Sequence, residues 1–482
     1  MRKHLLAGLL LLPILTGSAH AQRVITRGYG EADLDAVLRT TLRGQHQLIT
    51  KDLLVARNDT IRGNMVVIRA RFILEGTVIG DVVGVDANMY FRPGSRVTGT
   101  VTNVAGGLYP SDQANLRAVE DRPLAPYHVR EVNGELVIEG TNRRPLIKLG
   151  GFFGIQNPEY NRVDGVRAEV GPTLLLPPFA GVEPSLFASV GYATDRGDLI
   201  KRAGLGLRRG RSTLAVGWED DVTVTNDDWV RSDMKNSLAY LWNGKDYRDY
   251  YAAERIYAEF ERTLERGPRS TRYWLRWQRE EARSLTAGTP WSVLEPDSVR
   301  SNPAIDPDSR FDSFIVGAES EWTGLTTVWS VLAFAEVANG TITQFAVPDV
   351  DSDFKMFAVD ALYAMKAIAN HTLEIEAYFQ GPIDTERLPL VRWTHVGGSG
   401  TLYTFDIAEF RGDHVVFVKS EYTIPFSEKL KLPIFGLPRL KLMHNIGMAW
   451  TSDAERDFEQ NVGARIQFAL AHFRFMVNPR DG

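Results

Sequence analysis

The chain has 482 residues, 44% of them hydrophobic and 24% charged, a balance that excludes intrinsic disorder. It carries a formal net charge of −5 and no cysteine, which excludes a disulfide framework and a thiolate metal site, and no basic patch of the kind nucleic acid requires is present. Aromatic residues reach 10%, with 10 Trp, 16 Tyr and 23 Phe, a surplus that the interfacial girdles of a membrane barrel would use.

Residues 1–21 read as a secretory signal peptide. Arg2 and Lys3 make a short positive start, Leu5 to Leu15 is apolar, and Ala19-His20-Ala21 places small residues where a peptidase cuts. The apolar run is about 11 residues, against the roughly 20 that a helix needs to cross a bilayer. No later stretch holds 18 consecutive apolar residues, so a helical membrane protein is excluded. A membrane β-barrel is not, because its strands need only alternate.

Residues 22–50 form a polar lead-in. Leu34, Val37 and Leu38 fall at helical spacing behind Asp33 and Asp35 and predict a short helix. Residues 51–109 change texture, being rich in Val, Ile, Gly and Thr. A small unit recurs there: Ile61-Arg62-Gly63-Asn64-Met65, Val78-Ile79-Gly80-Asp81-Val82 and Val97-Thr98-Gly99-Thr100-Val101. Its central glycines are 17 and 19 residues apart, the length of a β-solenoid coil with three short faces. About three coils of a small β-helix are expected; an ordinary meander of Gly-turned strands is the other reading. The segment resembles the bactofilin-like, polymer-forming β-helix domains, which implies self-association or partner binding through it. Residues 110–145 are expected to be a linker, punctuated by Pro123, Pro126 and Pro145. A short hairpin in it would join Tyr127–Arg130 to Glu135–Ile138 around Asn133-Gly134.

From 146 to 482 the chain reads as strands almost throughout. Ile256, Ala258 and Phe260 alternate with Tyr257, Glu259 and Glu261. Tyr273, Leu275 and Trp277 oppose Arg272, Trp274, Arg276 and Gln278, and Leu373, Ile375 and Phe379 oppose Glu374, Glu376 and Gln380. Such period-2 patterning describes a sheet with one apolar side. A soluble sandwich buries that side, whereas a membrane barrel turns it to lipid and its polar side to the lumen. Three features favour the barrel. The polar face carries both signs of charge. Aromatics such as Trp218, Trp242, Tyr250, Tyr251, Trp322, Trp393 and Trp450 stand near strand ends. The leader delivers the chain to the periplasm. The fold class is therefore all-β: a transmembrane antiparallel β-barrel of 12–16 strands, with 16 the best count, preceded by a small periplasmic β-helix. Residues 284–310, 226–233 and 340–353 read as extracellular loops. The last strand is expected to run from Val462 to about Val477, with a bulge where Phe473 and Phe475 change parity against Ile466 and Phe468.

Two stretches carry a family resemblance. Pro158-Glu159-Tyr160-Asn161-Arg162-Val163-Asp164-Gly165 looks like the opening of surface-antigen-type barrels. The run from Leu388-Pro389 through Gly397-Gly398 to Phe405, then Arg411-Gly412-Asp413 and Glu421-Tyr422-Thr423-Ile424-Pro425, resembles the C-terminal part of the bacterial surface antigen superfamily, the BamA/TamA-type barrels. In that superfamily a Gly-Gly turn leads into a loop that folds back inside the lumen, pinned by the Arg of a Val/Leu-Arg-Gly-aromatic motif. The matching positions here read Leu402-Tyr403-Thr404-Phe405, without the Arg and Gly, so Arg411 is the expected replacement cation. The resemblance thus picks out Gly397, Gly398, Phe405, Arg411 and Glu421 as the inward loop and its anchor. It implies an outer-membrane location and a role in outer-membrane biogenesis or in moving a polypeptide or lipid. Outer-membrane lipid would be the partner, with the barrel-assembly machinery and periplasmic chaperones engaged during biogenesis. The gate would be loop 397–412 beside a seam that opens laterally. The repeated periplasmic modules of assembly factors are missing, and a β-helix stands in their place. A passive pore or structural anchor is the alternative.

No enzymatic motif is present. The nine His show no His-Glu-x-x-His pattern, and Ser399 between Gly398 and Gly400 lacks the Gly-x-Ser-x-Gly frame. His395, Asp413 and His414 are the other members of a conceivable rim set, read here as ordinary polar residues. Asp349, Asp351 and Asp353 alternate in a loop, a pattern that Ca²⁺ sites share with solvated loops. No cofactor, metal or catalytic residue is assigned.

Overall fold

The computed structural model of the chain describes residues 24–30, 32–132, 135–142, 145–152, 154–179, 182–266, 269–294, 299–307, 309–324, 326–342, 352–367, 370–384, 387–426, 437–452, 457–468 and 472–480. The leader at 1–21, the Asn133-Gly134 turn, and Asp349 and Asp351 lie outside them. Residues 1–144 and 145–482 form two compact units.

In the first unit the short Val- and Ile-rich runs stack in three parallel ladders. His46–Ile49, Asn64–Ile68, Val82–Val85 and the later part of Arg96–Val104 make one. Leu53–Val55, Arg71–Leu74, Asn88–Phe91 and Gly107–Pro110 make the second. Thr60–Arg62, Thr77–Ile79 and Arg96-Val97 make the third. The recurring sequence unit stacks on itself: Ile61 pairs with Val78 and Val78 with Val97, while Met65 pairs with Val82 and Val82 with Val101. This is a β-solenoid. Its interior is dry, filled by Met65, Val67, Phe72, Leu74, Val78, Met89 and Phe91, with Phe72 edge-on to Phe91 at 6.1 Å between ring centroids.

A second core forms on the outside of one ladder. Val66, Ile68, Val83, Val85 and Val104 are buried there together with Leu34 and Leu38 of helix α1, Ala32–Arg43, which bears out the short helix. The antiparallel hairpin of Tyr127–Val132 and Glu135–Thr141 contributes Tyr127, Val129, Leu136 and Ile138 to the same core. The stretch read as a linker is thus folded: Asn115–Arg122 adds a rung to the solenoid, and the hairpin receives Val24–Tyr29 as a parallel edge strand.

The second unit is one antiparallel sheet of seventeen strand segments taken almost in chain order. Gly165–Val170 and Pro172–Leu175 both pair with Glu183–Ala193, and Ile155–Asn161 and Ile147–Leu149 pair with those two in turn. Each pair of segments is one wall strand broken once. The segments therefore make fifteen wall strands among the described residues, inside the expected range. The sheet curls into a barrel. One short run of an interior loop bonds to Glu280 and Glu336 on one side and to Asn461 on the other. Glu280 and Asn461 stand on strands seven steps apart, which a flat sheet would hold roughly 34 Å from each other.

The alternation decides which face is which. Trp277 on the outer face is 42% exposed, while its neighbour Gln278 in the lumen is 4% exposed. Ile256, Phe260, Tyr273, Leu275, Phe314 and Val316 are likewise exposed on the outside, whereas Glu280, Ser313 and Glu336 are buried inside. A wall of bare apolar side chains around a charged lumen is the inversion that a hydrocarbon solvent imposes. Among the described residues no helix is long and apolar enough to cross a membrane.

Two expectations change. The end of the chain is two strands, not one: Glu459–Gln467 and His472–Val477 run antiparallel with Ile466 opposite Phe473. The parity change of Phe473 and Phe475 comes from this reversal, not from a bulge. The aromatic girdle is smaller than the composition predicts, because Tyr250 and Tyr251 are buried inside, and Trp393 packs against the interior core. The loops expected at 226–233, 284–310 and 340–353 leave from one end of the barrel, the same end as the connection 383–413.

Candidate lumenal site

The connection between Thr372–Pro382 and His414–Pro425 does not stay at the rim. Leu388, Leu390 and Val391 are buried in the interior core with Phe311 and Phe354 of the wall. Pro389 precedes a single helical turn, Leu390–Arg392. Thr394–Val396 then pairs antiparallel with Phe410–Gly412, a small hairpin inside the lumen, with His395 opposite Arg411. Gly397 and Gly398 turn this hairpin toward its tip with φ of +131° and +80°. A Cβ on Gly397 would stand 2.4 Å from the Asp406 carbonyl oxygen, so the position requires glycine. Phe405 lies edge-on to Phe410 at 5.1 Å and packs with Val396, Leu402 and Phe417. Four of the picked residues, Gly397, Gly398, Phe405 and Arg411, thus belong to one inward loop.

The cation that pins the loop to the wall is Arg392. Its Nε donates to Glu336 Oε2 and its Nη2 to Glu336 Oε1, both at 2.9 Å. Its Nη1 donates to Glu280 Oε1 at 2.9 Å and to the Tyr251 hydroxyl at 3.2 Å. Phe311 and Phe354 each present a ring face 5.7 Å from the guanidinium carbon. Three wall strands are tied to one side chain, and all three charges are buried. A fork of this shape matches carboxylates in two directions at once, which a lysine could not do. Sequence reasoning missed Arg392 by matching the motif to residues 402–405. The signal was a lone Arg in an otherwise apolar run, Leu388-Pro389-Leu390-Val391-Arg392-Trp393.

Arg411 has another task. Its Nε is 3.5 Å from Asp249 Oδ2, and its guanidinium lies over the Trp393 ring at 5.4 Å. It ties the hairpin to the connection 225–250, not to the wall. Burial pulls its pKa below the usual range for arginine. The same connection is held from several sides. Thr394 Oγ1 donates to Asp227 Oδ1 at 2.5 Å, Trp229 Nε1 donates to Thr394 Oγ1 at 3.0 Å, and Trp229 stacks flat on Tyr378 at 4.2 Å.

The Tyr160-to-Gly165 motif forms a tight turn that docks on this assembly. Asn161 Oδ1 accepts from the amides of Val163 at 2.9 Å and Asp164 at 2.7 Å, closing the turn. Arg162, fully buried, then reaches Asp246 at 3.3 Å, Asp249 at 3.1 Å and Asn302 Oδ1 at 3.1 Å. Arg300 pairs with Asp249 at 2.6 Å. Burial pushes the Asp249 carboxyl up, but Arg300, His395, Arg162 and Arg411 outweigh it and hold it well below the usual carboxylate range. Asp227, Asp249 and His395 bring three possible ligand atoms within 4.8 Å of one another. The guanidinium groups already standing on Asp249 make this an ion-pair lock; a divalent cation there would face them at close range.

Glu421 sits on the wall below the loop. Lys441 donates to it at 2.6 Å, and Lys419 and Arg465 lie 3.6 and 3.3 Å away. It borders a lumenal cavity of about 620 Å³ lined also by Asp360, Glu376 and Arg474. The tip of the loop borders that cavity through Ser399, Gly400 and Tyr403 and is fixed to the wall beside it: Asn445 Nδ2 donates to the Thr401 carbonyl and Asn461 Nδ2 to Thr404 Oγ1, both at 2.5 Å. The rim polar residues do not form one set. His395 pairs with Asp227 at 3.2 Å, His414 with Asp413 at 2.8 Å, and Ser399 accepts from Arg474 at 3.5 Å. Asp353 accepts from the Gly340 amide at 2.9 Å.

No family model matches this sequence. No curated protein sequence matches it. Among solved structures the chain is similar to CdiB from Escherichia coli, at 15% identity and a TM-score of 0.39, covering 73% of this chain and 64% of that one. It is similar to CdiB from Acinetobacter baumannii, at 12% identity and a TM-score of 0.36, covering 73% and 61%. It is also similar to BamA from Haemophilus ducreyi lacking POTRA domains 1-3, at 13% identity and a TM-score of 0.42, covering 73% and 71%. The chain spans less than two thirds of the length of the CdiB chains it matches.

Proposed function

We propose that this chain is an outer-membrane barrel of surface-antigen type that serves outer-membrane biogenesis or moves a polypeptide or lipid, with the connection 383–413 as the stopper of its lumen. Residues 1–21 are its export signal, the β-helix stands in the periplasm as a partner-binding or self-associating module, and the loop-rich end faces outward. The assembly machinery and periplasmic chaperones handle it during insertion.

One observation carries this reading: Arg392 fastens the inward loop to Glu280 and Glu336. A passive pore gains nothing from a loop that fills its bore. A gated conduit needs a stopper that is held firmly by few contacts, because those contacts are then what opening must break. A buried guanidinium shared by two carboxylates meets that need. It is strong while complete, and removal of one partner leaves an uncompensated charge.

Planar-bilayer recording of the purified protein tests the proposal. The wild-type chain should show a low resting conductance with brief openings, and Arg392→Ala should open for much longer at the same voltage. A wide, steady conductance in the wild type that Arg392→Ala leaves unchanged would establish the passive pore instead.

A further inference from the structure

Helix α2, Asp233–Asn243, lies in the connection 225–250 and carries its apolar residues on the wrong side for a packed helix. Asn236 and Tyr240 are buried. Met234, Leu238, Leu241 and Trp242 fall at i, i+4, i+7 and i+8 and line the opposite face, which is exposed: Leu238 at 58% and Trp242 at 60%. Trp291 and Leu294 extend the patch and are also exposed, and the Leu294 amide donates to the Trp242 carbonyl at 2.8 Å. Six large apolar side chains left together at a surface mark a contact site.

The place of the helix says what covers them. Tyr160 belongs to the first wall strand, and the residues on either side of it, Glu159 and Asn161, are buried in the lumen, so Tyr160 has the outward parity. Its cross-strand partner Val166 is exposed on the lipid face. The Tyr160 amide donates to Ser237 Oγ of α2 at 2.9 Å, its ring packs on Tyr240 at 5.4 Å, and its hydroxyl donates to the Trp291 carbonyl. The helix therefore stands at the rim of the loop-rich end, with Lys235 toward the lumenal cavity and Tyr240 on the outward-facing Tyr160, and its apolar face adjoins the lipid-facing band there.

We propose that α2 is a membrane-interface helix whose Met234, Leu238, Leu241 and Trp242 face lies in the boundary between lipid headgroups and acyl chains. Tryptophan and an amphipathic three-turn helix suit that layer. Lipid then presses Ser237 onto the Tyr160 amide and steadies the first wall strand, which among the described residues has no backbone pairing with the last. This inference rests on the barrel standing in a membrane and is independent of what passes through it.

The chain has no cysteine, so single reporters are available. Leu238→Cys carrying an environment-sensitive NBD label is reconstituted into phosphatidylcholine vesicles containing a lipid with a shallow acyl-chain nitroxide. A blue-shifted emission and at least twofold quenching are expected, as for a label at Leu275→Cys on the wall and unlike a label at Arg57→Cys on the solenoid. Met234→Cys reports on the same face should Leu238→Cys fail to fold. A Leu238 label that emits as in water and escapes quenching overturns the proposal. So does one shielded from lipid that self-quenches as protein density rises, which would assign the face to a second copy. If the Leu275 label also escapes, the membrane barrel falls along with the helix.

Discussion

The two units solve the same problem with opposite interiors. Both are built from short alternating strands, yet the solenoid closes around Met65, Phe72, Val78, Met89 and Phe91, while much of the barrel's interior is held by Arg162, Glu280, Arg392, Asp249 and Glu421. In water the solenoid gains by burying its oily face and leaving charges outside. In lipid the oily face needs no burial, so the interior is free to hold charge, provided each charge is paired. The difference teaches that a pattern of alternation specifies a sheet but not which of its sides is inside.

That comparison can be broken by substitutions of matched severity. Arg392→Ala should destabilise the barrel by about 3–5 kcal/mol, because it strands two buried carboxylates. The gel shift between folded and boiled protein would then collapse at a lower temperature, and Arg392→Lys should recover little. Phe72→Ala should cost the solenoid about 3–5 kcal/mol through the cavity it leaves, read as faster amide exchange across residues 64–91. If Arg392→Ala were as mild as a surface change, the lumen would not be held by its ion pairs.

The outer face gives the next largest effect. Leu275→Arg should cost about 2–4 kcal/mol if that position faces the middle of a bilayer. An unchanged unfolding midpoint in vesicles would mean that the wall is not lipid-facing. The smallest effect concerns pH. Asp249 has a depressed pKa, so its contribution is whole above the ordinary carboxylate range and is lost as pH falls through that range toward its lowered value. Protease resistance of the inward loop should therefore weaken in acid, below about pH 4, and Asp249→Asn should lose the resistance at neutral pH and flatten the profile.

Much of the site was legible in the chain, and its gaps have physical causes. Gly397 and Gly398 were picked out by the family resemblance, and the structure supplies the reason: a Cβ on Gly397 would stand 2.4 Å from the Asp406 carbonyl oxygen. Arg411 could be picked as a cation near the turn, but its partner Asp249 lies in another connection, so only folding shows that it ties loop to loop. Arg392 stands out locally only as a lone cation in an apolar run, and its partners are distant in the chain: Glu280 and Glu336 are 112 and 56 residues away. Helix α2 gave no warning either, since its exposed apolar face has meaning only once the helix is placed at the barrel rim beside Tyr160. The fusion of two last strands into one was a failure of a different kind, as a tight reversal shifts parity just as a bulge does.

By itself the sequence determined the coil length of the solenoid, the strand content of the barrel and the side of each strand that would be oily. These depend on periods of two and of 17 to 19 residues, which are local. Only the tertiary structure decided that the sheet curls round a lumen, that the connection 383–413 turns inward, and which carboxylates receive Arg392. Charge pairing in a lumen acts through space between strands far apart in the chain, and no local pattern records that distance.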